Sequence, residues 1–281
     1  MNLEALDVTG AFFECPRWHD GRLWVSDYWG GRVSAISPDG TSETVVEVPA
    51  SPSGLGWLPD GTLLVVSMMD RKLLRVDGGV TALHAELAEF SGPQANDMVV
   101  DAAGRAYVST IDFMAFADMP DTNLVRVDPD GTVALAASGL SFPNGSVITP
   151  DSSTLIVAES WAARLTAFDI EPDGELTNRR VWAALPEGCA PDGIDLDAEG
   201  AVWVADVAGR RAIRVREGGE IVGEVSAGEL HVIACVLGGA DGRTLFLCTT
   251  PDFRIPPDEA ARTRPGRIHT ARVDVPCARR L

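Results

Sequence analysis

Basic residues and long apolar runs are both scarce in this sequence. Lysine and arginine together number 23 against 41 aspartates and glutamates, which gives a formal net charge of −18. A surface of this sign repels a phosphate backbone, so nucleic acid is not an expected partner. No apolar stretch reaches the roughly 18 residues that a membrane-spanning helix needs, so we expect no membrane insertion.

Cysteine is also sparse, and its spacing excludes one class of site. The five cysteines are far apart and include no Cys-x-x-Cys pair, which argues against a zinc finger. An odd number of isolated cysteines is typical of a reduced, intracellular protein. The N-terminal segment MNLEALDVTG has neither the basic nor the apolar region of a secretory signal. We therefore expect a cytoplasmic protein.

What the sequence does contain is a sixfold repeat. An Asp-Gly or similar turn followed by an apolar strand recurs, as in HDGRLWVSD from His19 and PDGTLLVVS from Pro59. The first apolar residues of the six repeated strands are Leu23, Leu63, Ala106, Leu155, Val202 and Leu245. Their spacing of 40 to 49 residues is typical of a four-stranded propeller blade. The pattern predicts an all-β, six-bladed β-propeller with a central channel, forming a single domain over residues 1–281.

Polar residues recur at one phase of this repeat, about ten residues before each of those strands. They are Glu14, Ser53, Asn96, Asn144, Asp192 and Cys235. Because equivalent positions of the innermost strands surround the propeller axis, we expect these side chains to converge there. Two carboxylates this close repel each other unless a cation neutralises them. Oxygen ligands of this kind favour Ca²⁺, Mg²⁺ or Mn²⁺ and also accept Zn²⁺.

The alternative for Asn144 and Asp192 is a purely structural role. Each lies in a Pro-Asn-Gly or Pro-Asp-Gly sequence, and such sequences usually form β-turns. Four further Pro-Asp-Gly copies, at 38–40, 59–61, 129–131 and 172–174, fall at hairpin phases of the repeat. Asn144 and Asp192 fall at the channel phase instead, which favours a role as ligands.

At these positions the chain resembles the regucalcin (senescence marker protein)/gluconolactonase/luciferin-regenerating-enzyme-like family. The matching segments are Glu14–Trp18, Asn96-Asp97, Phe142–Gly145, Pro191–Ile194 and Cys235–Gly239. The resemblance implies one divalent cation held by Glu14, Asn144 and Asp192, with Asn96 beside it contacting substrate or water. We expect Ca²⁺, with Zn²⁺, Mn²⁺ or Mg²⁺ as alternatives.

One position departs from the pattern of the family's sugar-lactone members. Where these often carry an arginine that holds polar substrate groups, this chain has Gln94. We therefore expect a substrate less polar than a sugar lactone, contacted by Asn96 and Gln94. Apolar contacts are predicted from Trp18, Met114 and Phe116. The apolar stretch 110–121 interrupts the third blade and suggests a lid.

The resemblance implies a metal-dependent hydrolase, and a lactonase above all. In this hypothesis water attacks a metal-polarised lactone carbonyl, with Asp192 as general base and Asn96 as the second catalytic residue. The partner is then a small-molecule lactone or ester. Two alternatives stay open, which are phosphotriester or ester hydrolysis at the same metal, and a propeller that binds a ligand without catalysis.

Overall fold

The computed structural model describes residues 3–113, 115 and 120–278. Its 24 strands form six four-stranded sheets. These sheets are the blades of a propeller, so the predicted fold class is confirmed. Within the described part of the chain, no helix is long and apolar enough to cross a bilayer.

The blades follow one another along the chain, and in each the innermost strand comes first. Blade 1 consists of β2 (Phe13–His19), β3 (Arg22–Asp27), β4 (Arg32–Ile36) and β5 (Ser42–Glu47). Blade 2 consists of β6 (Pro52–Trp57), β7 (Leu63–Ser67), β8 (Lys72–Asp77) and β9 (Val80–Glu86). Blade 3 consists of β10 (Gln94–Val100), β11 (Ala106–Ile111), β12 (Thr122–Val127) and β13 (Val133–Leu140). Blade 4 consists of β14 (Pro143–Ile148), β15 (Thr154–Glu159), β16 (Arg164–Ile170) and β17 (Leu176–Ala184). Blade 5 consists of β18 (Pro191–Leu196), β19 (Val202–Asp206), β20 (Arg211–Val215) and β21 (Ile221–Ser226).

Blade 6 combines the two ends of the chain. Its strands are β22 (His231–Gly238), β23 (Thr244–Thr250), β24 (Gly266–Arg272) and, outermost, β1 (Glu4–Gly10). Antiparallel pairing of β1 with β24 closes the circle of blades, because it places both ends of the chain in one sheet. A short helix, α1 (Pro257–Thr263), lies between β23 and β24, and a 3-10 turn (Ser160–Ala162) follows β15.

The hydrophobic core lies between neighbouring blades. Between blades 4 and 5, for example, Ile156 and Leu165 pack with Val204 and Ile213, and all four are almost fully buried. Each sheet buries both faces in this way, which explains why the second strands of the blades, such as β7 (LLVVS) and β19 (VWVAD), are mostly apolar. The polar residues near the start of the innermost strands therefore need another explanation.

The Pro-Asp-Gly and Pro-Asn-Gly sequences divide into two structural kinds. At the hairpins, Gly61 has φ +85°, and Asp60 accepts the N–H of Thr62 at 2.9 Å, as in an ordinary Asx turn. Gly145 and Gly193 have no positive φ and lie inside β14 and β18. A Cβ on Gly193 would lie 2.4 Å from the Cβ of Ala234, so this glycine permits close packing of adjacent inner strands.

Candidate metal centre

Five of the predicted polar residues lie near the start of the innermost strands. Glu14, Ser53, Asn144 and Asp192 are each the second residue of their strand, and Asn96 is the third. The pairing with the next strand is irregular at or directly beside each of them. A bulge of this kind changes the direction of one side chain, so it places a polar group toward the channel.

The sixth position is occupied by Ile233, and the prediction of Cys235 was wrong. The irregularity in β22 falls between Val232 and Ala234, which makes Ile233 the equivalent residue. The Cys235 sulfur instead lies 3.6 Å from the carbonyl oxygen of Trp203, in the core between blades 5 and 6. In blade 6 the axial residue therefore lies twelve residues before Leu245, two more than the count of ten that led to Cys235. We call Glu14, Ser53, Asn96, Asn144, Asp192 and Ile233 the axial ring.

Hydrogen bonds connect the polar members of the axial ring across four blades. Ser53 Oγ donates to Asn96 Oδ1 at 3.1 Å, and Asn96 Nδ2 donates to Asn144 Oδ1 at 2.9 Å. Asn144 Nδ2 then donates to Ser160 Oγ at 3.3 Å, and Ser160 donates to the Pro191 carbonyl at 2.6 Å. This chain fixes the orientation of both amides and ends at the residue directly before Asp192.

The two carboxylates of the axial ring are held in a protein environment that disfavours their charge. Burial, followed by the charge of Asp97, raises the pKa of Glu14 to about 8. Burial, followed by the charges of Glu14 and Asp97, raises the pKa of Asp192 well above its ordinary value. Such shifts show that the protein alone does not satisfy these groups when they are ionised.

A divalent cation fits this donor set. Asp192 Oδ1 is buried and has no hydrogen-bond partner among the described residues. Within that same part of the chain, no three His, Cys, Asp or Glu side chains are grouped closely enough to bind a metal by themselves. The amide oxygen of Asn144 would therefore complete a set with the carboxylates of Glu14 and Asp192. Carboxylate and amide oxygens are hard ligands, which favour Ca²⁺.

A buried ion pair, which the sequence did not reveal, lies beside the axial ring. Arg17 of β2 reaches from blade 1 to blade 3, where its Nη2 donates to Asp97 Oδ1 and to the Met98 carbonyl, both at 2.6 Å. Arg17 is 9% exposed and Asp97 4%. Because Asp97 acts on both Glu14 and Asp192, the positive charge of Arg17 limits the negative charge at the site.

Apolar residues lie beside the axial ring, most of them directly before an inner strand or at the end of a second strand. The buried members of this mouth cluster are Phe12, Tyr28, Met68, Ile111, Val207 and Ile233. Trp29 extends it, with its aromatic ring 4.1 Å from that of Tyr28 and 6.3 Å from that of Phe113. Phe142 joins it two residues before Asn144. Phe12 likewise lies two residues before Glu14, and this spacing could have been read from the sequence.

The predicted substrate contacts have separate locations. Gln94 lies at the start of β10, two residues before Asn96, and its buried Oε1 has no partner among the described residues. Trp18 lies near the far end of β2 and stacks on Phe246, with ring centroids 5.4 Å apart. It therefore packs between blades 1 and 6 rather than at the axial ring. Met114 and Phe116 lie outside the described residues, as does part of the predicted lid.

Comparisons with known proteins agree on a family. The model of the SMP-30/gluconolactonase/LRE-like region matches residues 12–251. The chain is 26% identical to the 6-deoxy-6-sulfogluconolactonase of Pseudomonas putida, covering 95% of this chain and 94% of that protein. It is 29% identical to the pentonolactonase of Haloferax volcanii, covering 87% and 83%. The structure of the calcium-binding protein regucalcin from Agrobacterium tumefaciens superposes with a TM-score of 0.79 at 20% identity, covering 98% of this chain and 96% of that one.

Proposed function

Because the chain belongs to the SMP-30/gluconolactonase/LRE-like family, we propose that it is a metal-dependent lactonase. The observation that carries the proposal is the group formed by Glu14, Asn144 and Asp192 on the propeller axis. Two carboxylates with raised pKa values, one of them with an unpartnered buried oxygen, lie in the same axial ring as a fixed amide oxygen. The lactonases among its relatives give the reaction class.

We propose that Glu14, Asn144 and Asp192 hold one divalent cation, with Ca²⁺ expected and Zn²⁺, Mn²⁺ or Mg²⁺ as alternatives. When bound, such an ion would polarise the lactone carbonyl and stabilise negative charge on its oxygen. The regucalcin neighbour is described as a calcium-binding protein, which agrees with the hard donor set of this chain.

The protein residues would supply the proton transfer and the positioning. Asp192 has a carboxylate oxygen free of protein partners, so it can accept the proton of the attacking water. Asn96 uses one Nδ2 hydrogen on Asn144, which leaves its second for the substrate oxygen or the water. Its orientation is fixed by the bond from Ser53, and fixed donors of this kind stabilise developing charge.

The substrate we propose is a lactone less polar than a sugar lactone. The mouth cluster offers aromatic and aliphatic surface, which suits an alkyl or aryl substituent rather than several hydroxyl groups. Gln94 carries no charge to bind an anionic or polyhydroxylated group, and its amide serves a single polar group of the substrate.

A lactone panel assayed with and without EDTA tests the proposal. It should contain a sugar lactone, alkyl-substituted γ- and δ-lactones, an aryl ester and a phosphotriester. We expect alkyl lactones to be preferred, activity to disappear on chelation and return with Ca²⁺, and Asp192→Ala to be inactive. Activity that survives chelation would contradict the metal mechanism. Turnover confined to the ester or phosphotriester would assign the alternative hydrolase, and no turnover with metal bound would indicate a binding protein.

The cellular location stays a prediction. All five cysteines are free and buried, which agrees with a reducing compartment. We therefore propose that the protein acts in the cytoplasm on a small molecule, with neither nucleic acid nor membrane as a partner.

A further inference from the structure

Three buried acids occupy one phase of the repeat, in the same three blades that carry the proposed metal ligands. Asp27, Glu159 and Asp206 are the last residues of β3, β15 and β19. Each pairs with the residue directly before a ligand, since their partners are Phe13, Pro143 and Pro191. We call these three residues the clamp acids.

Each clamp acid binds the backbone segment that leads into the neighbouring ligand. The hydrogen bonds are Ala11 N to Asp27 Oδ1 at 2.8 Å, Phe12 N to Asp27 Oδ1 at 3.1 Å, Ser141 N to Glu159 Oε2 at 2.8 Å and Ala190 N to Asp206 Oδ1 at 3.1 Å. A carboxylate that accepts backbone N–H groups forms charge-assisted bonds, which are stronger than neutral ones. The start of each ligand strand is therefore tied to the adjacent strand of its own blade.

An arginine five residues later compensates the charge of each clamp acid. The pairs are Arg32 with Asp27 at 2.9 Å, Arg164 with Glu159 at 2.9 Å and Arg211 with Asp206 at 3.1 Å. Asp27 and Glu159 are 0% exposed and Asp206 is 1% exposed. Charges buried to this extent require a partner, and each arginine supplies one to its acid.

The intervening turns leave room for these carboxylates. A Cβ on Gly30 would lie 2.2 Å from Asp27 Oδ2, and one on Gly209 would lie 2.1 Å from Asp206 Oδ2. In blade 4, where the acid is the longer Glu159, the residue at the equivalent position of the turn is Ala162, in a 3-10 turn. In each of these three blades, the turn that follows the clamp acid is therefore part of the same arrangement.

The blades without a proposed ligand have no acid at this position. Their equivalent residues are Ser67, Thr110 and Thr249, paired with Pro52, Ala95 and Val232. A general requirement of propeller blades would place the acid in all six. Its restriction to blades 1, 4 and 5 points to a role connected with Glu14, Asn144 and Asp192.

We propose that Asp27, Glu159 and Asp206 are positioning residues, each of which fixes one metal ligand at the geometry that the cation needs. This inference rests on the proposed metal site. Removing a residue that orients a metal ligand typically lowers the affinity for the metal by roughly 10- to 100-fold. We expect the isosteric variants D27N, E159Q and D206N each to weaken binding of Ca²⁺ within that range.

The test is calorimetric titration of the full-length, metal-stripped protein with Ca²⁺ alone, beside a thermal melt of each variant. Gly209→Ala is a second route to the same effect, because it displaces Asp206 without removing its charge. Asp197→Asn is the matched control. Asp197 is equally buried, pairs with Arg214 at 2.5 Å and accepts backbone N–H groups, but it lies in the turn after β18, away from the axial ring.

Weaker Ca²⁺ binding in the clamp variants, with unchanged binding in Asp197→Asn, would support the inference. Unchanged Ca²⁺ affinity in the folded clamp variants would overturn it. An equal loss in Asp197→Asn would also overturn it, since any buried ion pair would then have the same effect. If the wild-type protein binds no divalent ion, the proposed metal site fails and the inference fails with it.

Discussion

Without a cation at the proposed site, the stability of this protein should fall as the pH rises. Glu14 has a pKa raised from 4.5 to about 8, and that of Asp192 is raised in the same direction. The native metal-free protein therefore keeps protons that the unfolded chain releases. Where the native state binds more protons, the free energy of unfolding decreases with increasing pH. The decrease should begin near pH 4.5 and end as the pH passes 8.

The magnitude follows from the shift of Glu14. One pKa unit corresponds to about 1.4 kcal/mol, so the full shift would remove at most about 5 kcal/mol. Glu14 is half-buried, and screening by water reduces this to roughly 3 kcal/mol. For a chain of this size that corresponds to a decrease in melting temperature of about 6–12 °C. Ca²⁺ bound at the proposed site would pair with the ionised carboxylates and should abolish the decrease.

The assay is urea unfolding of metal-stripped protein between pH 5 and pH 9, with and without excess Ca²⁺. The pKa values of His19, His84 and His269 are lowered by burial, so these groups destabilise the fold as the pH falls below about 6.5. Their effect is the same with and without metal and cancels in the difference. Glu14→Gln should remove the part of the slope that Glu14 contributes and leave the part due to Asp192. If the stability of the metal-free protein relative to the Ca²⁺-bound protein stays constant or rises from pH 5 to pH 8, the reasoning is refuted.

Four substitutions test the other roles. Asp192→Asn should lower kcat for lactones by roughly 10²- to 10⁴-fold, because it removes the proton acceptor, and steady-state kinetics measures this. Gly193→Ala should destabilise the fold by about 1–3 kcal/mol in urea unfolding, since its Cβ would lie 2.4 Å from that of Ala234. Trp18→Ala should lower the free energy of unfolding by about 3–5 kcal/mol without changing KM. Phe142→Ser should shift the ratio of kcat/KM values toward sugar lactones by about tenfold.

Each of these outcomes has a clear opposite. Full activity of Asp192→Asn would show that another group is the general base. Wild-type stability of Gly193→Ala would mean that the inner strands can separate. A several-fold higher KM in Trp18→Ala would show that Trp18 does contact the substrate. An unchanged substrate preference in Phe142→Ser would remove the mouth cluster from specificity.

The repeat could be read from the sequence because its signals are local. Turns such as 59–61 follow from the backbone preferences of Asp and Gly over two or three residues. Asn144 and Asp192 lie at a different position of the repeat from those turns, and the spacing along the sequence shows this as well. Counting along the repeat therefore predicted the blades and five members of the axial ring.

Contacts between distant parts of the chain needed the tertiary structure. Arg17 and Asp97 are 80 residues apart in the chain, and nothing local to either indicates their ion pair. The place of Ile233 in the axial ring depends on where β22 is bulged against β23, which a count of residues does not show. Trp18 lies four residues from Glu14, yet it packs on the neighbouring blade.

The sequence by itself determined the number of blades and the chemistry on the axis, because strand alternation and turn formation depend on neighbouring residues. Only the tertiary structure decided that burial and the charge of Asp97 raise the pKa values of Glu14 and Asp192, since electrostatic interaction depends on distance in space and on burial. The clamp acids lie between these cases. Asp27, Glu159 and Asp206 each precede an arginine by five residues, but their connection with the ligands exists only across a strand pair.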